Sequence, residues 1–183
     1  LRATLQRIIL KDGFANLSVS EMAQRLGCSK RTIYELAPTK NALVLQVLSI
    51  FFETIRNNAN IACASRNEPA EQLFEYLQVG VRAAQHLSPR AITDIDNWPP
   101  ARQMWQEHLR LRVEGLRDLI ERGVNLGAFR DRSPMLVAEM VYAGIRRLCE
   151  PDFYESQEFS PSQAFEEYYN MLLSSLTYPK VGG

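Results

Sequence analysis

The sequence predicts an all-α protein: a unit of short helices at the N-terminus, joined to a larger helical body, with about nine helices in all. Three observations carry this expectation. Apolar residues recur at helical spacing along nearly the whole chain, and alternating strand patterns are scarce. Helix starts are punctuated by capping residues at regular offsets. With 46% hydrophobic residues over 183 positions, the chain can build a sizeable core.

The elements follow in order, near 2–12, 19–26, 30–36, 40–62, 69–86, 89–96, 100–123, 134–148 and 161–177. Ser18 with Glu21 three residues on reads as a capping box, and Thr39 caps the long helix that begins at Lys40. Ser88-Pro89, Ser133-Pro134 and Ser160-Pro161 each set a capping serine before a proline at the first helical position, and Ser160 has Gln163 as a second capping box. Trp98-Pro99-Pro100 opens the next long helix and is a candidate lid. Gly13, Gly27, Gly123 and Gly127 are read as closing segments. The expected organisation is a domain over 1–47 and a second over 48–183. The helix from Lys40 runs from one into the other, so the joint should be stiff.

Charge is balanced overall but not along the chain. Residues 1–48 hold seven Lys/Arg against three acids, and the remainder holds 14 against 18, so a basic end sits on an acidic body. That asymmetry points to a polyanionic partner for one end only. Three separated cysteines, Cys28, Cys63 and Cys149, suggest no disulfide framework and fit a reducing cytoplasm. No apolar run reaches membrane length and no secretory signal is visible, so the expected location is cytoplasmic. No cysteine–histidine spacing suits zinc, no glycine-rich phosphate loop or nucleophile motif is present, and no cofactor is expected. Asp94 and Asp96 would lie roughly 200° apart on a helix and do not form a catalytic dyad, which argues against an enzyme.

The stretch from Ser18 to Lys40 holds the most specific pattern. Met22, Ala23 and Leu26 share one face of the first short helix; Ile33, Leu36 and Ala37 share one face of the next; three residues separate the two. Ala23 is small enough for a close helix crossing, Gly27 tolerates positive φ in the turn, Ile33 anchors the second helix on the first, and Ser29 caps it. Lys30, Arg31, Thr32, Tyr34 and Glu35 are left facing outward. An ordinary helical corner explains the first set but not the second, so the reading is a helix-turn-helix.

Ser18-Val19-Ser20-Glu21-Met22-Ala23, Gly27-Cys28-Ser29-Lys30-Arg31-Thr32-Ile33-Tyr34 and Pro38-Thr39-Lys40-Asn41-Ala42-Leu43 together resemble the signature of the TetR family of bacterial transcriptional regulators, over about residues 13–47. The resemblance implies that Lys30, Arg31 and Thr32 meet base edges or nearby phosphates in the major groove, that Tyr34, Thr39 and Lys40 contact the backbone, and that Ser18 and Ser29 cap helices beside phosphates. Glu35-Leu36-Ala37 departs from the family pattern, which usually carries aromatics there. Glu35 would repel phosphate, accept from a cytosine amine, or pair with Arg31 one turn back.

Helices 134–148 and 161–177 are apolar on more than one face. The expectation is a homodimer formed through Val137, Val141, Ile145, Phe165, Tyr169, Leu172 and Leu176. Between 69 and 123, Tyr76, Trp98, Met104, Trp105 and His108 are candidates to line a pocket for an apolar or aromatic effector, with His108 as its polar handle. The expected function is a repressor released from a double-stranded DNA operator by a small molecule. The alternative is a helical protein-interaction bundle that does not bind DNA.

Overall fold

The computed structural model describes residues 1–154 and 159–178. Among them the chain forms α1 Arg2–Asp12, α2 Val19–Leu26, α3 Lys30–Leu36, α4 Lys40–Ala64, α5 Pro69–Ala84, α6 Pro89–Asn97, α7 Pro99–Asn125, α8 Pro134–Leu148 and α9 Pro161–Leu176, with one 3₁₀ turn at Pro151–Tyr154. The caps fix these starts. Ser18 Oγ accepts from Glu21 N–H at 3.2 Å while Glu21 returns its carboxylate to Ser18 N–H at 2.7 Å. Ser29, Thr39, Ser88, Ser133 and Ser160 each accept from the backbone N–H three residues on. Each satisfies a donor that the first helical turn cannot pair internally.

Helices α1–α3 and the start of α4 make the head. Leu5, Ile9 and Leu10 of α1 are buried with Met22, Ala23 and Ile33 and with Leu43, Val44, Val47 and Leu48 of α4. Further along α4, Phe51, Phe52, Ile55 and Ala59 pass into the body core, so one 25-residue helix serves both parts. In the body, α5 packs on α4, α7 and α9, α8 packs on α7, and α6 lies between α1 and α7.

Two readings of the sequence change here. Gly123 does not close a helix: it lies inside α7, and a Cβ there would collide with the ring of Phe129, which is 1% exposed. Gly127, at φ 69°, makes the turn that follows. The seven residues expected at a dimer interface lie on the inner faces of α8 and α9. Val141, Ile145, Phe165, Tyr169, Leu172 and Leu176 are all buried, and Val137 packs partly buried against the same core. The six buried side chains offer a partner almost no surface, whereas Val137 keeps some. Both helices are apolar nearly all round, so period alone does not say which face turns outward. The outward apolar residues are Met135, Leu136 and Met140 of α8 and Met171 of α9. The hydroxyl of Tyr168 donates to Met140 O at 2.9 Å and ties the two helices together behind that face.

Candidate functional site

The turn between α2 and α3 is built on Gly27 at φ 62°, ψ 34°. A Cβ there would meet no atom within 4 Å, so the position needs glycine for its backbone conformation and not for space. Cys28 N–H donates to Ala23 O at 3.0 Å and closes α2. With Ile33 only 1% exposed in the core, α3 is held by its inner side and shows its outer side to solvent. Lys30, Arg31, Tyr34 and Glu35 are exposed and Thr32 is half-buried. Arg31 is 87% exposed, and its Nε donates to Glu35 Oε1 at 3.2 Å. Of the three roles open to Glu35, the free protein adopts the pairing with Arg31. Lys40 is half-buried and donates to Ala15 O at 3.0 Å, which leaves two of its three N–H donors unengaged by that bond. Ser18, Ser29 and Thr39 all use their side-chain oxygens as caps.

Glu35 thus holds an exposed cation of α3 while adding a negative charge beside it. Replacing Glu35 by Gln is expected to raise affinity for duplex DNA roughly fivefold, about 1 kcal/mol over two half-sites. Fluorescence polarisation at fixed salt measures it. A loss of affinity would instead assign Glu35 to a base contact.

The head is also fastened to the body by a residue that sequence reasoning weighed only as half of a carboxylate pair. Asp94 of α6 accepts from Phe14 N–H at 2.5 Å and from Ala15 N–H at 2.9 Å, both through Oδ2. Ser88 N–H donates to Leu10 O at 3.0 Å beside it. Trp98 sets its ring edge-on to Phe14, with centroids 5.7 Å apart. Trp98 therefore joins head to body and is not a lid. Asp96 faces Arg102 at 3.3 Å, so the two aspartates serve separate partners.

Inside the body lie two adjoining chambers. The outer one, about 100 Å³, is lined by Leu87, Ile92, Ile95, Trp105, Leu109 and Phe165 among others. The inner one, about 40 Å³, shares Leu87, Trp105, Leu109 and Phe165 and adds His108 and Arg112. Of the five residues expected to line a pocket, Trp105 and His108 do so. Tyr76 instead stacks under the Arg112 guanidinium, 4.0 Å from it, and donates its hydroxyl to Arg112 O at 2.7 Å. Met104 is half-buried and packs against the core but lines neither chamber.

His108 is 4% exposed and stacks on both Phe52 and Trp105, at centroid distances of 4.8 and 5.4 Å, the three rings forming one cluster. Burial, reinforced by the positive charges of Arg112 and Arg56, pushes its imidazole down to about 3. It is therefore neutral, and because Arg56 Nη1 at 3.1 Å can only donate, His108 Nδ1 accepts and the proton resides on Nε2. The unfolded chain binds a proton at His108 below about pH 6.5 while the folded chain does not, so stability rises with pH between about 3 and 6.5 and is lost as pH falls through that range. Urea midpoints measured from pH 4 to 7 are expected to climb by an amount that His108→Asn removes. An unchanged slope in that variant would place the acid sensitivity elsewhere.

Arg112 is the residue that sequence reasoning missed entirely. It is 7% exposed. The available signal was phase: Trp105, His108, Leu109, Arg112, Leu116 and Leu119 recur every three or four residues, which sets an arginine on the apolar stripe of α7.

With this geometry in place, residues 2–47 match the family described as bacterial regulatory proteins, tetR family. No curated protein matches the sequence. Solved structures match over nearly the whole chain. A transcriptional regulator from Saccharomonospora viridis in complex with choline shares 17% identity at a TM-score of 0.77, covering 97% of this chain and 96% of that one. The TetR family transcriptional regulator PfmR from Thermus thermophilus shares 18% at 0.67, covering 94% and 96%. The transcriptional regulator FadR from Bacillus subtilis in complex with stearoyl-CoA shares 16% at 0.70, covering 95% and 96%. At these identities the likeness is one of fold.

Proposed function

The chain carries a TetR-family N-terminal domain and has the fold of TetR-family transcriptional regulators, and from that premise we propose that it is a homodimeric, non-enzymatic DNA-binding repressor that leaves its operator when a small molecule enters the body. The observation that carries this reading is the exposed outer side of α3. Lys30, Arg31, Thr32 and Tyr34 project from a helix braced on α2 through Ile33, with both helix starts capped. These side chains have the reach and chemistry for base edges and phosphates, and Ser18, Ser29, Thr39 and Lys40 supply further donors for the backbone.

One head makes too few contacts for tight specific binding, and two recognition helices about 34 Å apart fit successive turns of the major groove. The apolar face at Leu136, Met140 and Met171 is the pairing surface, in place of the buried residues expected from sequence. The two chambers, the outer against α6, α7 and α9 and the inner among α4, α5, α7, α8 and α9, are the effector site. Choline and stearoyl-CoA in structures of this fold support a small-molecule effector without specifying its chemistry. Ile92 and Ile95 line the outer chamber while Asp94, between them in sequence, holds the α1–α2 turn. A ligand that displaces α6 therefore pulls on the head directly, and mismatched spacing removes contacts in one half-site.

Titration of the protein's own upstream DNA, followed by fluorescence polarisation at several salt concentrations, tests the reading. Several phosphate contacts per dimer give a steep negative slope of log affinity on log salt. A flat, weak response would instead favour a helical protein-interaction bundle.

A further inference from the structure

The inner chamber holds a positive charge that the described residues do not neutralise. Arg112 is buried, makes no ion pair among the described residues, and its Nη1 is sealed from solvent without a hydrogen-bond partner. Its other contacts fix it in place. Nη2 donates to Tyr76 O at 3.0 Å, and the guanidinium sits over the Tyr76 ring, 4.0 Å from its centroid. The nearest titratable neighbours add no negative charge. His108 is neutral, Arg56 is a second cation, and burial holds the Tyr169 phenol up at about 12, so it keeps its proton. Leaving a guanidinium desolvated and unpaired is costly, and proteins normally place a carboxylate against it. Among the described residues no carboxylate pairs with it, and it adjoins a cavity whose lining includes Leu87, Leu109 and Phe165.

We propose that this cavity binds a small amphipathic carboxylate, its head group taken by Arg112 and its apolar tail lying along Leu87, Leu109 and Phe165 toward the outer chamber. The proposal deepens the effector reading above and rests on it. A carboxylate suits the site better than a phosphate. The planar guanidinium matches a planar two-oxygen acceptor, and Arg112 is the one cation among the described lining residues, which matches a single negative charge better than a phosphate dianion. A cationic ligand would meet like charge. Since the inner chamber is only about 40 Å³, admitting the head group requires its helical walls to part.

Calorimetric titration with hexanoate and benzoate, each against its neutral amide, and with tetramethylammonium as a cationic control, tests this. A charge-assisted pair with Arg112 predicts that the carboxylates bind roughly thirtyfold more tightly than the amides and that tetramethylammonium does not bind. Arg112→Met should erase the preference and Arg112→Lys should keep part of it, with circular dichroism confirming that each variant folds. Equal binding of acid and amide by the wild-type protein overturns the proposal without recourse to any variant. So does the absence of saturable carboxylate binding up to about 10 mM, which would assign Nη1 to a buried water. Operator titration separates the two levels of the argument. Carboxylate binding that leaves DNA affinity unchanged supports the site and removes its regulatory role. Salt-dependent DNA binding without carboxylate binding removes the site and leaves the regulator.

Discussion

Phe52→Ala is expected to destabilise the protein by about 3–5 kcal/mol, and at 183 residues this corresponds to a fall of roughly 10 °C in the thermal midpoint. The ring is 1% exposed and is a hub: Phe51, Trp105 and His108 all stack on or against it, at 5.6, 5.3 and 4.8 Å. Truncation removes these contacts together and leaves a cavity that a rigid 25-residue helix cannot collapse to fill. Because α4 also supplies Leu43, Val44 and Leu48 to the head, the loss should appear in both parts at once. Urea denaturation at fixed protein concentration, followed by the fluorescence of Trp98 and Trp105 and by circular dichroism, measures it. A loss under about 1 kcal/mol would mean that the aromatic cluster is loosely packed and that its stacking of His108 is incidental.

The second large effect is on assembly. Met140→Glu should split the dimer at micromolar concentration and lower operator affinity by at least about a hundredfold, since a lone head retains only weak, nonspecific contacts. Met140 is 64% exposed, so the variant subunit should keep its helical content. Val141→Ala is the matching control. It is 1% exposed, and its loss should lower stability while leaving the dimer intact. Sedimentation velocity on both variants decides between the two faces of α8. If Val141→Ala dissociates the protein and Met140→Glu does not, the outward face has been misassigned.

These contrasts show where sequence was informative and where it was not. Caps and the α2–α3 turn are local: Ser18 and Glu21 lie three residues apart, Gly27 adopts the αL conformation its position demands, and Ile33 is buried on α2. Nothing distant is needed to read them, and the helix boundaries all fall within two residues of their expected places. What escaped was set by tertiary contact. Both faces of α8 are apolar, so choosing Val141 over Met140 required knowing where α7 and α9 lie. Gly123 looked like a terminator until Phe129 was seen to return onto it from beyond the turn. The partners of Asp94 lie about eighty positions away, at Phe14 and Ala15. Arg112 alone left a local trace, its phase on the α7 stripe, and it was obscured because arginine at most helical positions is solvated.

The double fastening of the head has a geometric consequence. One attachment is the continuous backbone of α4; the other is the Asp94 carboxylate on α6. A body motion that carries both helices together leaves the reading surface aimed as before, and only their relative displacement turns it. The head thus acts as a difference detector, blind to common drift. Since α4 is about 37 Å long at ~1.5 Å per residue, a tilt of roughly 5° between the two attachments moves its far end by about 3 Å, close to one base-pair step.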